Sequence, residues 1–595
     1  MLVRLRIPRS LGPVTAVQTR SNPDREPRWR DARLVWTADG WDWWEAPVTV
    51  ENPVHGYRWL VVLAGGAQRW VNAAGFHDIE VPDADDFRFT GYPAPPAWLP
   101  GTVLYQVFPD RFARSSAADD RALPDWAIPA KWTDPVDPEP PGRSQQFYGG
   151  DLDGIVEHLD HLIGLGVTVL YLTPFFAARS NHRYDSVDFN RVDPLLGGDE
   201  ALIRLVGAAH SHGIRVIGDL TTNHCGDGHE WFRAALGDPE APESEFFYWL
   251  DDAHTQYVSW LGVPSLPKFN WASPELRRRF IDGPDSVVAH WLKPPFRLDG
   301  WRIDVSNMTG RYLADDFNTE VRRIIRRTMV EVNPDTMLLG ESTNDAAPDF
   351  PGDAWHGAMT YGNFTRPLWG WLSRPGRVAK GGIGFAREQV PALTGRQFVA
   401  QHQAFTAAFP WRSRLATMNA LDTHDTPRFG GGALPGAVPV ALGLSVTVPG
   451  IPVVWAGDEF GLVGEDGETS RTPMPWSDLA GDTLAAYRAV LALRRAHPVL
   501  SDGGFRWVHV GDDAIAFIRE SAAESVLVLA TRAADRIRLP LGVVLGAEES
   551  RLLHGPAVLT AHPSIDEADG FLELDAPGIS FTAWSLPGVQ LPDPA

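Results

Sequence analysis

Two hydrophobic segments of the chain each carry a carboxylic acid at a position where it could do chemistry. The first reads GWRIDV and holds Asp304 shortly after Arg302, and the second reads TMLLGE and ends at Glu341. Side chains alternate along an extended strand, so Arg302 and Asp304 are expected on one face. A guanidinium beside a carboxylate favours the ionised form, which a nucleophile needs. The pattern predicts a nucleophilic carboxylate at Asp304, with a structural ion pair as the alternative.

Glu341 has the properties expected of a partner acid. If both segments are strands of one parallel sheet, Asp304 and Glu341 end neighbouring strands, where two carboxyls can come within about 5 Å, as retaining glycoside hydrolysis requires. Desolvation and the charge of Asp304 would raise the pKa of Glu341, so that it could hold a proton for a leaving oxygen. The pair would suit acid-assisted displacement at a sugar carbon, but a glutamate at a strand end does not by itself indicate a function.

Two further acids, each near a histidine, lie at the ends of other strand-like segments. Asp219 precedes His224 in GDLTTNH, and Asp425 directly follows His424 in LDTHDTPR. Carboxylates at four strand ends on one rim favour a catalytic site over structural placement. The histidines have neither an H-E-x-x-H pattern nor a close histidine partner, so sugar-hydroxyl donors are favoured over metal ligands and no catalytic metal is expected.

The elements that must position these acids recur along the middle of the chain. Eight buried runs of strand type alternate there with amphipathic segments, as in a closed (β/α)8 barrel whose chemistry lies at the carboxyl ends of its strands. The runs begin at Val103, Val167, Ile214, Gly300, Thr336, Ala358, Ala416 and Ile451. We therefore predict an α/β protein built on a TIM barrel.

Three further units are predicted around this barrel. The interval between the third and fourth runs is longer than one βα connection needs, which predicts an inserted subdomain over residues 225–272. Short alternating strands predict an N-terminal β-sandwich over residues 1–97 and a C-terminal β-sandwich over residues 499–595. The barrel with its insertion would take residues 98–498.

Net charge and cysteine content indicate which partners the protein can bind and in which compartment it resides. The 595 residues carry a formal net charge of -22. This charge repels nucleic-acid phosphates and anionic lipids, so neither a nucleic acid nor a membrane is expected as a partner. The first residues hold no apolar run of signal-peptide length, and the single cysteine, Cys225, cannot form an internal disulfide. We expect a cytoplasmic protein.

The segments that carry these residues resemble a known enzyme family. GDLTTNH, GWRIDV, LLGE and THD, in this order and spacing, are similar to the four signature regions of the α-amylase family of glycoside hydrolases. YQVFPDRF, FYGGDLDGI, SNHRYD, LGGDEAL, LPKFN and WAGDEFG through MPW extend the resemblance over about residues 101–498. LPKFN, with a β-module ahead of the barrel, resembles the branch that holds neopullulanases, cyclomaltodextrinases, maltogenic amylases and maltodextrin glucosidases.

The resemblance implies a role for each candidate residue. It makes Asp304 the nucleophile, Glu341 the general acid and base, and Asp425 the carboxylate that grips and distorts the bound sugar. Arg302 would hold Asp304, and Asp185 would brace a neighbouring loop. The other residues implied at the cleavage point are His182, Tyr184, Asp219, His224 and His424.

The branch also implies a substrate, a small oligosaccharide, and needs no cofactor for catalysis. We expect hydrolysis of α-1,4-glucosidic bonds, with α-1,6 bonds as a further option, in short linear, cyclic or branched maltooligosaccharides by double displacement. A transglycosylase or a sucrose- or trehalose-type isomerase on the same scaffold is the first alternative. A non-catalytic amylase-like subunit is a remote one, because such proteins usually lose catalytic carboxylates that this chain keeps.

Two structural expectations follow from the same resemblance. The loop ARSSAADD lacks the Asn-rich pattern with which relatives bind calcium, although Asp119, Asp120, Gly149 and Asp151 could form a partial oxygen site. Relatives with an N-terminal β-module often pair, which predicts a homodimer. Five tryptophans of that module would either pack its own core or face the other subunit: Trp41, Trp43, Trp44, Trp59 and Trp70.

Overall fold

The protein, as a computed structural model, is described over residues 1–38, 40–477, 481–544 and 564–589. Its central strands are β1 Leu104–Val107, β2 Val169–Leu172, β3 Arg215–Thr221, β4 Gly300–Asp304, β5 Met337–Glu341, β6 Gly357–Met359, β7 Met418–Ala420 and β8 Ile451–Trp455. All pair in parallel, in the order β6-β5-β4-β3-β2-β1-β8-β7. Near the gap between β6 and β7, the amide of Ala358 reaches Thr417 Oγ1 at 3.4 Å. The predicted barrel and its eight strands are confirmed.

Side-chain alternation in β4 brings its polar residues into the barrel. Trp301 and Ile303 lie in the outer apolar layer, where Trp301 Nε1 donates a hydrogen bond to the carbonyl of Val288 at 3.2 Å. The opposite face presents Arg302 and Asp304, as predicted. Apolar side chains from other strands fill the barrel interior, among them Leu104, Tyr171, Ile217, Leu339 and Met359. The polar side chains therefore stand on a packed core rather than in an open pore.

Helices cover the outside of the barrel and share one core with the outward side chains of its strands. In the first part of the chain they are Pro109–Phe112, Gly142–Gln145, Leu152–Glu157, Leu159–Leu165, Gly198–Ser211, Glu230–Ala235, Pro274–Phe280, Val287–His290 and Asn318–Val332. Further along they are Thr365–Leu372, Gly395–Thr406, Trp411–Leu415, Ala437–Thr447, Asp482–Ala496 and Val499–Asp502. The helix Leu541–Val544 instead packs in the core of the C-terminal sheets.

The long connection between β3 and β4 forms an insertion beside the carboxyl ends of the strands. It returns to the end of β3 through an isolated bridge between His224 and Lys268, and a bridge between Phe247 and Phe269 joins two of its own segments. Short two-stranded sheets stand in other connections: Ile128–Pro129 with Gln146–Phe147, Phe176–Ala178 with Ser186–Val192, and Arg311–Tyr312 with Asp315–Asp316. The insertion thus contacts the rim that carries the candidate acids.

Two antiparallel sheets precede the barrel. The first pairs Leu2–Pro8, Trp41–Pro47 and Arg33–Ala38 in that order, and the second contains Arg28–Asp31, Val14–Ser21, Val54–Leu63, Gln68–Asn72, Gly75–His77 and Phe87–Thr90. Val3 from the first sheet and Val17 and Trp59 from the second share one core, so the N-terminal β-sandwich is confirmed. Of the module's named tryptophans, Trp59 lies in this core and Trp44 packs against it. Trp41, Trp43 and Trp70 are also buried, but Trp41 Nε1 donates a hydrogen bond to the carbonyl of Gly542 in the C-terminal domain at 3.1 Å.

Two more antiparallel sheets follow the barrel. One pairs Gly504–Val510, Ala514–Glu520, Glu524–Thr531 and Ser580–Pro587, and the other pairs Asp535–Pro540, Phe571–Ala576 and Ser564–Ala568. Leu529 and Leu574 belong to the core between them, as in a sandwich. Residues 545–563 and 590–595 of the predicted C-terminal domain lie outside the described residues, and the domain limits stay a prediction. In the described part of the chain, no helix has the length and apolar character needed to cross a membrane.

Candidate active site

The side chain of Arg302 joins the ends of three neighbouring strands. It is fully buried, and its Nη1 donates to Asp219 Oδ1 at 2.9 Å and to Asp304 Oδ1 at 2.8 Å. Its Nη2 lies 2.9 Å from Glu341 Oε2. Because β3, β4 and β5 are adjacent and in register, one guanidinium can reach the carboxylates at all three strand ends. The predicted meeting of Arg302, Asp304 and Glu341 is therefore present in the structure.

The charges of this cluster do not balance when every carboxyl group is ionised. Three carboxylates beside one guanidinium would leave two negative charges uncompensated in a buried place. Burial is the main cause that raises the pKa of Asp304 and of Glu341 above the usual range of a carboxyl group, and Arg302 opposes both shifts. The direct hydrogen bond from Arg302 favours ionised Asp304. Double displacement needs ionised Asp304 and the proton on Glu341.

Glu341 is also held by the backbone that follows β4. The amide of Val305 donates to Glu341 Oε2 at 2.7 Å. Val305 has a φ of 45°, which is unusual for a β-branched residue and costs conformational free energy. The turn is kept by a hydrogen bond of 2.9 Å from the amide of Met308 to the carbonyl of Val305. The hydrogen bond thus offsets the strain and keeps an N–H group directed at the candidate acid.

Asp219 lies beneath the side chains that line the site and accepts hydrogen bonds from several of them. Tyr171 and Tyr184 donate their hydroxyl protons to Asp219 Oδ2 at 2.6 and 2.9 Å, in addition to the contact from Arg302. Burial raises the pKa of Asp219 to about 6, while the guanidinium and the two phenols stabilise the charged form. The side chain has no exposed surface, so Asp219 positions Tyr184 and Arg302.

His424 links Tyr184 to the next wall of the site. The amide of His424 donates to Gln106 Oε1 at 3.3 Å, which turns Gln106 Nε2 toward His424 Nδ1 at 2.7 Å. Nδ1 is then an acceptor, and the imidazole proton lies on Nε2. Nε2 is 2.6 Å from Tyr184 Oη and 3.2 Å from Asp425 Oδ1. Burial lowers the pKa of His424 well below its usual value, so the ring is a neutral donor.

Asp425 is the most exposed carboxylate of the group. Its side chain is 30% exposed, against 8% for Asp304 and 11% for Glu341. His424 lies on one side of Oδ1, and Arg471 Nη2 approaches the same oxygen at 3.4 Å. Within the described residues, Oδ2 of Asp425 has no hydrogen-bond partner. The group can therefore accept hydrogen bonds from a ligand without first breaking contacts of its own.

His182, which is half-buried, and His224, which is buried, are neutral rings on the same side of the site. His182 Nδ1 accepts a hydrogen bond from the amide of Tyr184 at 3.2 Å, and the two rings stack with centroids 6.0 Å apart. Burial lowers the pKa of both histidines to about 3, and each nearby cation adds to the shift. The predicted brace also appears, because Asp185 Oδ2 accepts from the amide of Arg179 at 3.2 Å.

Several functional candidates escaped the reasoning from sequence. Tyr171, Gln106 and Arg471 contact the predicted residues directly, and Asn223 and Lys268 lie behind His224. Alternation along β1 and β2 could have placed Gln106 and Tyr171 inside the barrel. No pattern in the sequence could have assigned Arg471 or Lys268 to the site, because both reach it from long connections without regular alternation.

The loop after β1 holds arginines where the sequence allowed a calcium site. Asp151 is fully buried, and its carboxylate accepts hydrogen bonds from the amide of Ser115 at 3.0 Å and from the guanidinium of Arg121. Asp119 pairs with Arg114 at 2.6 Å. Both arginines provide positive charge and would repel a cation. These residues do not fit calcium, and in the described part of the chain no group of three His, Cys, Asp or Glu side chains could hold a metal.

The sequence and the fold of this chain are similar to those of known proteins. Residues 106–487 match the family described as "Alpha amylase, catalytic domain". A cyclomaltodextrinase of Geobacillus thermopakistaniensis is 30% identical over 85% of this chain and 82% of its own length, and an intracellular maltogenic amylase of Bacillus subtilis is 30% identical over 75% and 70%. The solved structure of a cyclomaltodextrinase superposes with a TM-score of 0.72 and 25% identity, over 98% of this chain and 96% of that one.

Proposed function

Because the chain belongs to the α-amylase family and is a hydrolase of that family, we propose that it cleaves α-1,4-glucosidic bonds in short maltooligosaccharides by double displacement. The observation that carries the proposal is the contact of Arg302 with both Asp304 and Glu341 at adjacent strand ends. This contact brings a charged nucleophile, Asp304, next to a proton donor, Glu341, in one buried site.

In the first step, the carboxylate of Asp304 attacks the anomeric carbon of the sugar. Glu341 gives its proton to the glycosidic oxygen, so that the C–O bond breaks and the leaving sugar departs as an alcohol. The product of this step is a glycosyl ester on Asp304. In the second step, ionised Glu341 takes a proton from water, which attacks the same carbon and releases Asp304 as a carboxylate.

The other predicted residues would hold the reacting sugar in place. Asp425, with Oδ2 open to a ligand, would accept hydroxyl protons, and the Nε2–H of His224 would donate to a sugar oxygen. The Nε2–H of His424 is directed at Tyr184 Oη and Asp425 Oδ1, so His424 would hold these two groups against the sugar. Tyr184 would offer a flat face to the ring. These contacts suit a sugar ring distorted toward its transition state, where hydrogen bonds become stronger.

The substrate range is tested by product analysis on a matched set of sugars. Maltotriose, cyclodextrins, pullulan and starch separate linear, cyclic, α-1,6-containing and polymeric substrates. We expect faster cleavage of maltotriose and cyclodextrins than of starch, by analogy with the cyclomaltodextrinases described above. Transfer products larger than the substrate would favour a transglycosylase, and no cleavage of any maltosaccharide would overturn the proposed function.

We further propose a homodimer in which the N-terminal sandwich helps to close the active cleft of the other subunit. Its surface carries large apolar side chains that a partner could cover: Leu2, Trp29, Leu34, Phe76 and Ile79. Sedimentation of the full chain at micromolar concentration tests this proposal. We expect a dimer, and a monomer after deletion of residues 1–97; a monomeric full chain that still prefers short sugars would contradict it.

A cytoplasmic location is also a proposal. It draws support from the intracellular relative of Bacillus subtilis and from Cys225, which is fully buried as a free thiol. Fractionation of cells that express the full chain tests it, with activity expected in the cytosolic fraction.

A further inference from the structure

Lys268 is a buried lysine that the two catalytic steps do not use. It is 4% exposed and comes from the insertion between β3 and β4. Its Nζ donates to Asn223 Oδ1 and, at 3.0 Å, to the carbonyl of Met308. Asn223 follows β3, and Met308 stands in the turn after β4. The ammonium therefore joins three parts of the chain directly behind the candidate site.

We propose that Lys268 is a positioning residue: it sets which nitrogen of His224 carries the proton, and it holds the turn that directs the Val305 amide at Glu341. The inference rests on the proposed function, because it assigns His224 and Glu341 to the reacting sugar. Lys268 itself touches no reacting atom. Its two effects run separately, one through the side chain of Asn223 and one through the carbonyl of Met308.

The first effect follows from the donors and acceptors that meet at Asn223. A lysine ammonium has only donors, so it binds Oδ1 of Asn223 and leaves Nδ2 facing His224. Nδ2 lies 3.1 Å from His224 Nδ1. An amide nitrogen can only donate, so Nδ1 must accept and the imidazole proton lies on Nε2. Lys268 thus fixes the tautomer of a ring that it does not touch.

The fixed tautomer leaves one usable donor on His224. Nε2 is buried and has no hydrogen-bond partner among the described residues, so its N–H can serve a sugar oxygen. The ring is neutral, because burial and then the charge of Lys268 lower the pKa of His224 to about 3. A neutral imidazole with its proton on Nδ1 would instead present an acceptor to the sugar hydroxyls. The position of the proton therefore decides whether the ring can donate to the sugar.

Gln106 and His424 provide an independent example of the same arrangement. There the amide of Gln106 is oriented by the backbone N–H of His424, and its nitrogen again faces Nδ1. Asn223 has no such backbone contact to its Oδ1 in the described residues, and the ammonium of Lys268 takes that place. Both histidines thereby direct Nε2–H toward the centre of the site.

The second effect runs through the turn after the nucleophile strand. Lys268 holds the carbonyl of Met308, whose amide closes the turn on Val305, and the Val305 amide donates to Glu341. Asn318 Nδ2 holds the other side of the turn through two carbonyls, at 2.7 and 2.9 Å. Loss of Lys268 would therefore loosen the strained turn without unfolding it.

The first experiment compares K268M with K293M as a matched control. Lys293 also donates its Nζ to a backbone carbonyl, that of Pro284, but it precedes the start of β4, at the end of the barrel away from the acids. We expect K268M to lower kcat by about tenfold or more and K293M to leave it within about twofold. K268R, which keeps the charge and donors, should recover part of the loss. A K268M variant with parental kcat and KM would overturn the proposal.

The second experiment separates the tautomer from stability. In N223D the carboxylate still accepts from Lys268, and the added charge strengthens that contact, so the thermal unfolding temperature should not fall. The new oxygen cannot donate to His224 Nδ1, so a ring that stays neutral in this buried place must move its proton to that nitrogen. We expect kcat/KM to fall about tenfold at unchanged stability. Parental kcat/KM in N223D would contradict the assignment.

The third experiment observes the proton directly and needs no substrate. In protein with 15N-labelled histidine, the ring signals of His224 are identified by their loss in H224N. We expect a neutral ring protonated on Nε2 in the parent and on Nδ1 in N223D. If the parent carries the proton on Nδ1, the positioning role is wrong even though the enzyme hydrolyses sugars. If no maltosaccharide is cleaved, the proposed function fails while the tautomer of His224 is still decided.

Discussion

Asp304 Oδ1 and Arg302 Nη1 lie 2.8 Å apart at the carboxyl end of one strand, and the same guanidinium reaches a carboxylate on each neighbouring strand. Arginine does not give up its proton in proteins, so the movable proton of this cluster must sit on a carboxyl group. The contact favours ionised Asp304, and the reaction needs the proton on Glu341. The guanidinium is as close to Glu341, at 2.9 Å, as to Asp304, so the proposed reaction and not the distance assigns the proton to Glu341.

Removing either acid should abolish turnover while the fold remains. D304N and E341Q keep the size of each side chain but remove the nucleophile or the movable proton, so we expect kcat to fall by about 1000-fold or more. The surface variant D575N, which also removes a carboxylate paired with an arginine, is the control and should keep parental kcat. Near-parental activity in D304N or E341Q on maltotriose would refute the assigned roles.

A substrate with a good leaving group should tell the two acids apart. An aryl α-maltoside leaves without a proton, so E341Q should still release the phenol in a rapid first step. D304N lacks the nucleophile and should release none above background. Stopped-flow absorbance measures this burst. Equal bursts in the two variants would mean that Glu341 does not donate the proton.

The first product should have the α configuration. Two inversions at one carbon, the first by Asp304 and the second by water, restore the starting configuration. Proton NMR in the first minutes of a digest distinguishes the anomers before they equilibrate. Predominance of the β-anomer would indicate a single displacement by water and would remove Asp304 from the role of nucleophile.

The alkaline limb of the pH profile should respond to Asp425. Burial raises the pKa of Glu341 above 4.5, and the negative charge of Asp425 raises it further. The acid must be protonated, so kcat/KM should fall as the pH rises through that pKa. D425N removes a negative charge, lowers the pKa of Glu341 and should move this limb to lower pH, whatever its effect on the maximal rate. A limb that stays in place or moves to higher pH would contradict the coupling.

Arg121 should stabilise the loop after β1 in place of a metal. R121A would leave the buried carboxylate of Asp151 without its counterion, which costs about 3 to 5 kcal/mol for a pair of this kind. We expect a clear fall in the thermal unfolding temperature of R121A, little change in the exposed control R278A, and no effect of a chelator on the parent. A parent protein that is destabilised by the chelator would instead reveal a bound metal.

The barrel and the places of the main acids could be predicted because both depend on local patterns. Alternation along β4 predicts that Arg302 and Asp304 enter the barrel while Trp301 and Ile303 face outward. The structure has the side chains on those faces. The acids end segments of strand type, and parallel strands bring all such ends to one rim. The N-terminal strands were also readable, although alternation left open whether Trp41 packs inside its sandwich or at an interface.

Only the folded chain decided which side chains from distant segments lie opposite those acids. Periodicity assigns a side chain to a face, but it does not say which residue of another element will meet it. The contacts of Tyr171 with Asp219 and of Lys268 with Asn223 join residues far apart in the sequence, and they form only once the strands have closed into a ring and the insertion has folded back on it. The strained Val305 turn likewise persists because tertiary contacts hold both of its sides.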